Sequence, residues 1–280
     1  MNDRIDAQAV LSKVPAVTLG FWIIKILATT LGETGGDTVT MTWLGETTAN
    51  ANPNGYLIGT AIFFLLLLAL VAIQVIAKRF HPFLYWVTII ASTTAGTTLA
   101  DFCTRSLGIG YLGGSTILLS LVIASLGIWY VFERSISVDT VNTPRVEAFY
   151  WTTITFSQTL GTALGDWMAA GSSDPAATTG SLALGYLGGA MVFSVALIIC
   201  AALYFLTKVS RTILFWVAFI LTRPLGATVG DFLDKPFDHG GLNLSRPVAS
   251  LILATVIMAL ILVLPQRAGQ HPGKPTEASA

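Results

Sequence analysis

WVTIIASTTAGTTLAD, residues 86–101, is nearly long enough to cross a bilayer, yet it is rich in hydroxyl side chains and ends in an acid. The same frame recurs as WIIKILATTLGETGGD at 22–37, WTTITFSQTLGTALGD at 151–166 and WVAFILTRPLGATVGD at 216–231. Each copy opens on a Trp: Trp22, Trp86, Trp151 and Trp216. Ten positions on stands Gly32, Gly96, Gly161 or Gly226, and fifteen positions on stands Asp37, Asp101, Asp166 or Asp231. The fourteenth position is always small: Gly36, Ala100, Gly165 and Gly230. The Trp residues are 64, 65 and 65 positions apart, so the chain is a fourfold tandem repeat.

Working outward, each frame is followed by a second apolar run. Three of these open alike, Gly55-Tyr56-Leu57, Gly110-Tyr111-Leu112 and Gly185-Tyr186-Leu187, and Gly240-Gly241-Leu242 is a degraded fourth. The expected spans are about 15–37, 56–77, 83–102, 110–132, 146–167, 182–206, 212–233 and 247–264. With 54% hydrophobic and 11% charged residues in 280, the composition excludes an ordinary soluble domain, where charged residues are about 25%. The zero net charge offers nothing to nucleic acid. Cys103 and Cys200 make neither a disulfide framework nor a zinc site. The fold class expected is therefore an all-α polytopic membrane protein, eight transmembrane helices in four parallel two-helix repeats. Its parts are a cytoplasmic segment 1–13, a membrane domain 14–265 and a disordered polar tail 266–280. The repeats fall at about 14–79, 80–143, 144–208 and 209–265. The first apolar run is too long for a signal-peptide core and is expected to be retained. Ten Lys and Arg residues fall on one side, only Arg105, Lys235 and Arg246 on the other, with Lys25 and Arg223 inside spans. That bias places both termini in the cytoplasm, with the chain expected in an inner (plasma) membrane.

At about 100° per residue, positions 8, 11 and 15 beyond each Trp share a helix face. They are Thr30, Glu33 and Asp37; Thr94, Thr97 and Asp101; Thr159, Thr162 and Asp166; and Pro224, Ala227 and Asp231. Beside this stripe, the small pairs Gly32/Gly36, Gly96/Ala100, Gly161/Gly165 and Gly226/Gly230 invite close helix packing. The four Trp residues read as an interfacial belt. Lys25 reads as snorkelling to the inner interface. Arg223 has two readings, pairing with Glu33 or an Asp, or a purely structural role, and Gln158 occupies its register in the third repeat. The Gly-rich run 32–38 could unwind the first helix, and Pro224 should kink the seventh.

Carboxylate and hydroxyl oxygens gathered at membrane depth suit a hard cation such as manganese, magnesium or calcium. The leading expectation is a transporter or channel for a small, divalent cation, with that ion as substrate and no certain cofactor. Two alternatives stand beside it: a proton-coupled small-solute transporter, and a non-transporting scaffold or partner subunit. The Asp residues have a structural reading too, as caps where each helix turns. An enzyme is not expected, because His81, His239 and His271 lie in loops or the tail and no nucleophile-base set stands out. Lipid and a small cation or solute are the expected partners.

Over about residues 14–265 these features resemble a bacterial membrane protein family defined by four tandem DUF347 repeats. In that family each repeat has two transmembrane segments and a characteristic Trp. The resemblance rests on the four Trp residues with their Gly and Asp partners, and it implies a fold without implying an activity. Glu33-Thr34-Gly35-Gly36-Asp37-Thr38 also resembles the Glu-x-Gly-Asp motif of manganese/calcium exporters, with an extra Gly and no basic residue after the acid.

Overall fold

The computed structural model describes residues 11–46, 54–171, 174, 176–177, 180–237 and 240–270. Eight long helices account for most of them: α1 (Leu19–Asp37), α2 (Gly55–Ile76), α3 (Pro82–Asp101), α4 (Gly110–Glu133), α5 (Pro144–Ala169), α6 (Gly185–Leu206), α7 (Arg211–Asp234) and α8 (Arg246–Val263). Proline stands in the first turn of α3, α5 and α8, where the missing N–H costs nothing. Pro15 does not open α1. It ends a strand, β1 (Leu11–Pro15), and α1 starts later, where the Thr18 hydroxyl accepts the Phe21 N–H at 3.3 Å. A second strand, β2 (Ala268–Gln270), pairs antiparallel with β1. Those three residues are thus ordered where a disordered tail was expected, and this strand pair is an addition to the all-α plan. Segments 1–10 and 271–280 lie outside the described residues.

α1, α3, α5 and α7 form a closed inner ring, each packed on the next and α7 back on α1. The outer helices are offset by one unit. α2 packs on α3, α4 on α5, α6 on α7, and α8 returns to α1. The last repeat therefore closes against the first.

Among the described residues, six helices are long and apolar enough to cross a membrane: α2, α3, α4, α6, α7 and α8. α1 and α5 carry Lys25, Glu33 and Asp37, and Glu147, Gln158 and Asp166, all buried inside the bundle. Outside, the pattern inverts. Leu65, Ile123, Ile198 and Leu251, one on each outer helix, are 62–68% exposed. An apolar side chain left in water forgoes about 1.5–3 kcal/mol, so a surface of this kind belongs in lipid. The chain is a helical membrane protein.

Glycine sets the ring's spacing. The Gly ten positions after each Trp faces the residue seven positions after the next repeat's Trp. Gly32 meets Thr93, Gly96 meets Gln158, Gly161 meets Arg223 and Gly226 meets Thr29. A methyl group at Gly96 would stand 2.8 Å from the Gln158 carbonyl carbon, and one at Gly226 would stand 2.8 Å from that of Thr29. The next small position repeats the pattern, with Gly36 on Thr97, Gly165 on Ala227 and Gly230 on Glu33.

Toward the strand end the ring is filled by aromatics. Phe21, Tyr85, Tyr150 and Phe215, each just before a repeat Trp, pack on the Trp of the following repeat. The centroid distances are 5.5 Å (Phe21–Trp86), 5.9 Å (Tyr85–Trp151), 6.2 Å (Tyr150–Trp216) and 5.7 Å (Phe215–Trp22). The Tyr85 and Tyr150 hydroxyls share a 2.7 Å hydrogen bond. This corrects the interfacial belt: Trp86, Trp151 and Trp216 are buried, and Trp22 is half-buried. Their helices form the inner ring, so a Trp at the helix end meets protein instead of lipid headgroups. The indole N–H groups of Trp86 and Trp216 still find acceptors, at Gln266 Oε1 (3.0 Å) and the Ile136 carbonyl (2.8 Å). Below the aromatics, Lys13 closes the same end, with Nζ 2.5 Å from Glu147 Oε1 and 3.0 Å from the Gln74 carbonyl.

Gly226→Ala should force the α7–α1 seam apart and lower stability by about 1–3 kcal/mol, as overpacking does. Gly35, in the same bundle, is the control, because a methyl group there would meet nothing within 4 Å. Thermal unfolding of both purified variants checks this. Equal melting of Gly226→Ala and Gly35→Ala would refute the seam's role.

Candidate functional site

The eleventh position after each Trp lies at the ring axis. Glu33 Oε2 is 3.3 Å from Thr97 Oγ1 and 3.4 Å from Thr162 Oγ1, its counterparts in the second and third repeats. The fourth counterpart is Ala227, which leaves room. Arg223 fills that room from one turn below. Its Nη2 donates to Glu33 Oε2 at 2.9 Å, to Thr97 Oγ1 at 2.6 Å and to Thr162 Oγ1. Arg223 and Glu33 are both buried, so each offsets the other's desolvation. α7 runs on as helix through Pro224.

The repeat Asp residues lie at the far end of the ring from the aromatics, and they converge in bridged pairs. Lys235 Nζ is 2.8 Å from Asp37 Oδ2 and 2.9 Å from Asp231 Oδ1. Arg105 Nε is 3.0 Å from Asp101 Oδ1, and its Nη2 is 3.9 Å from Asp166 Oδ2. Both cations stand nineteen positions after a repeat Trp, in the second and fourth units, where the first and third have Met41 and Ala170. A twofold charge pattern is thus laid on a fourfold backbone. Asp174 receives Arg105 Nη1 at 3.3 Å and the Tyr111 hydroxyl at 2.8 Å, and Asp234 lies 3.4 Å from Arg246 Nε. Burial opposes the charge on Lys235, but the carboxylates of Asp231, Asp37 and Asp234 outweigh it and hold the ammonium well above the ordinary lysine range.

One oxygen from each of Glu33, Asp37 and Asp231 lies within 4.8 Å of the other two. Three buried carboxylates at that separation are a donor set for a hard cation, with Lys235 and Arg223 as the protein's own counter-ions.

Other expected site residues are placed differently. The Thr30, Thr94 and Thr159 hydroxyls turn back onto the carbonyls of Ile26, Ile90 and Thr155, at 2.9–3.0 Å, and take no part in the shared cluster. Lys25 does not snorkel. It is fully buried, with Nζ 4.2 Å from the Phe219 ring centroid. Gln158 is buried with neither amide atom hydrogen-bonded. The Gly-rich run stays helical through Asp37, and the widening comes afterwards, as π-helical turns at Thr38–Trp43 and again at Phe102–Ser106. The bridging roles of Arg105 and Lys235 were not read from the sequence, where both counted only as outer-loop charges. Their signal was present in the i, i+4 spacings Asp101–Arg105 and Asp231–Lys235.

The profile of the Repeat of Unknown Function (DUF347) matches the chain four times, at residues 20–80, 84–135, 149–210 and 214–266. The chain belongs to the DUF347 repeat family. No curated protein and no solved structure matches it. Each DUF347 unit contributes one inner and one outer helix, and the outer helix packs mainly on the next unit's inner helix. A DUF347 unit is accordingly incomplete alone: Asp101 and Asp231 meet a base of their own unit, but Glu33, Asp37 and Asp166 meet theirs only across a unit boundary.

Breaking the axial pair should be costly. Glu33→Gln leaves the Arg223 guanidinium buried without its carboxylate, an expected loss of about 3–5 kcal/mol. Adding Arg223→Met should recover part of it. Chemical denaturation of the two variants checks this, and an additive double variant would show that the pair is not coupled.

Proposed function

We propose that this DUF347 protein is a membrane transporter for a small cation, divalent and manganese-like in its preference for oxygen ligands. It would span the bacterial plasma membrane eight times with both termini cytoplasmic. The meeting of β1 with β2 at one end of the bundle supports a shared side for the two termini. The observation that carries the reading is the carboxylate triad Glu33, Asp37 and Asp231 on the ring axis, with Lys235 bridging two of its members.

Three carboxylates in a low-dielectric interior need positive charge nearby. Lys235 supplies it from the first position after α7, on a long flexible stem. A cation arriving from the Asp end can take over the Asp37 and Asp231 oxygens as the ammonium withdraws, which keeps the local charge compensated. The aromatic ring seals the opposite end in this conformation. Passage then requires the ring to change shape, and the outer helices, each attached to a neighbouring unit, would carry that change around it.

Proton-coupled movement of a small solute is the second reading. It is favoured by Lys25, a buried amine with no hydrogen-bond acceptor on the same axis.

The test is flux into liposomes containing the full chain and an entrapped manganese-sensitive dye. The wild type should admit manganese. Asp37→Asn should slow entry at least roughly tenfold, a change equivalent to about 1.4 kcal/mol, while melting stays near the wild type because Lys235 keeps Asp231. Lys235→Met should make the protein's melting temperature depend on manganese more steeply than the wild type's. Flux driven by a pH gradient without metal would favour the second reading. No flux of either kind would point to a scaffold.

A further inference from the structure

One helical turn from the Glu33–Arg223 pair toward the aromatics, the axis changes sign. Arg223, seven positions after its Trp, and Lys25, three after its own, occupy successive turns there and are fully buried. Lys25 Nζ faces the Phe219 ring and has no hydrogen-bond acceptor. Arg223 commits Nη2 to Glu33 and the two threonines, and its Nε and Nη1 have no acceptor. The Arg223 level is completed by the other residues seven positions after a Trp, which the glycine seams place side by side. Thr29 is satisfied by the carbonyls of Ile26 and Thr222. Gln158 and Thr93 are fully buried and unbonded at every side-chain polar atom.

The repeat acids belong to the levels above, at positions eleven and fifteen. A buried polar group without a partner is destabilising by about 1–3 kcal/mol, and a charged one by more. The Phe219 face favours the charged ammonium but accepts no conventional hydrogen bond. Among the described residues, buried donors of two cations and an amide lack acceptors on two successive turns of the inner ring.

We propose that the space between these two turns is a binding site for a compact monovalent anion, a halide or one of similar size, held by Lys25 Nζ from one turn and by the free Arg223 N–H groups and the Gln158 amide from the next. The anion balances Lys25, for which the carboxylate cluster has no member in reach of a hydrogen bond. The site stands on its own donors and does not depend on whether the acidic triad carries a cation.

The test uses the full chain in detergent. Melting is compared in sodium bromide, sodium chloride and sodium gluconate at equal ionic strength, and bromide-soaked crystals are measured for anomalous scattering. The expected result is higher melting in either halide than in gluconate. The difference should vanish in Lys25→Met and shrink in Gln158→Leu, with a bromide peak within hydrogen-bond distance of Lys25 Nζ. If Lys25→Met does not fold, the wild-type peak and Gln158→Leu decide. Equal melting in all three salts without a peak at this level would overturn the proposal. So would a halide shift that survives both substitutions, or peaks confined to Arg105 and Lys235 at the far end, which would mark an adventitious ion only. Loss of cation flux in liposomes would leave this site untouched, because it is read by anion binding at equilibrium.

Discussion

At each of the four inner-ring seams, a glycine from one repeat accepts the next repeat's chain at a distance that no side chain would permit. Lipid offers helices little hydrophobic reason to associate, so close van der Waals approach has to do it. That approach determines what can meet at the axis. With the helices this near, one arginine spans from α7 to the acid on α1 and to hydroxyls on α3 and α5. The same spacing lets four aromatic pairs close a cycle at the other end. Wider seams would leave each polar group to find a partner on its own helix, as the threonines eight positions after Trp already do.

Charge then differentiates a backbone that is close to fourfold. The acids are repeated in every unit, but the bases are not. Arg105 and Lys235 sit in alternate repeats, and each ties its own Asp to that of the following unit. Glu33 and Arg223 occur once each, in the first and last units, which become neighbours only through ring closure. The positions where the copies disagree therefore carry the asymmetric chemistry, while those where they agree carry the spacing.

Much of the helix plan was legible because the pattern is local. Repeat period, apolar length and turn residues placed the eight helices within a few residues, apart from the first, where Pro15 belongs to a strand. The gathering of Asp residues was legible from their matched positions. The Trp residues were misjudged for a physical reason: a Trp at a helix end is amphipathic wherever it lies, and only the neighbours decide between headgroup and aromatic ring. Lys25 was misjudged similarly, since a long stem can reach an interface or fold onto Phe219 with equal ease. Of the threonine stripe, Thr97 and Thr162 reach the axis as expected, whereas Thr30, Thr94 and Thr159 turn back on their own helices and the position before each, a rotation of about 100°, faces the seam instead; that direction is invisible in a single helix.

The sequence by itself determined a fourfold repeat of apolar helix pairs, small residues at a common register, and one acid per repeat. These follow from spacing along one chain, where helical geometry converts number into position. Only the tertiary structure decided which unit each outer helix leans on, that Arg105 and Lys235 bridge neighbouring acids, and that Arg223 reaches Glu33 across 190 residues. Those pairings depend on the order and closure of the ring. A buried charge is satisfied by whichever opposite charge the packing brings within about 3 Å, and separation along the chain does not limit the choice.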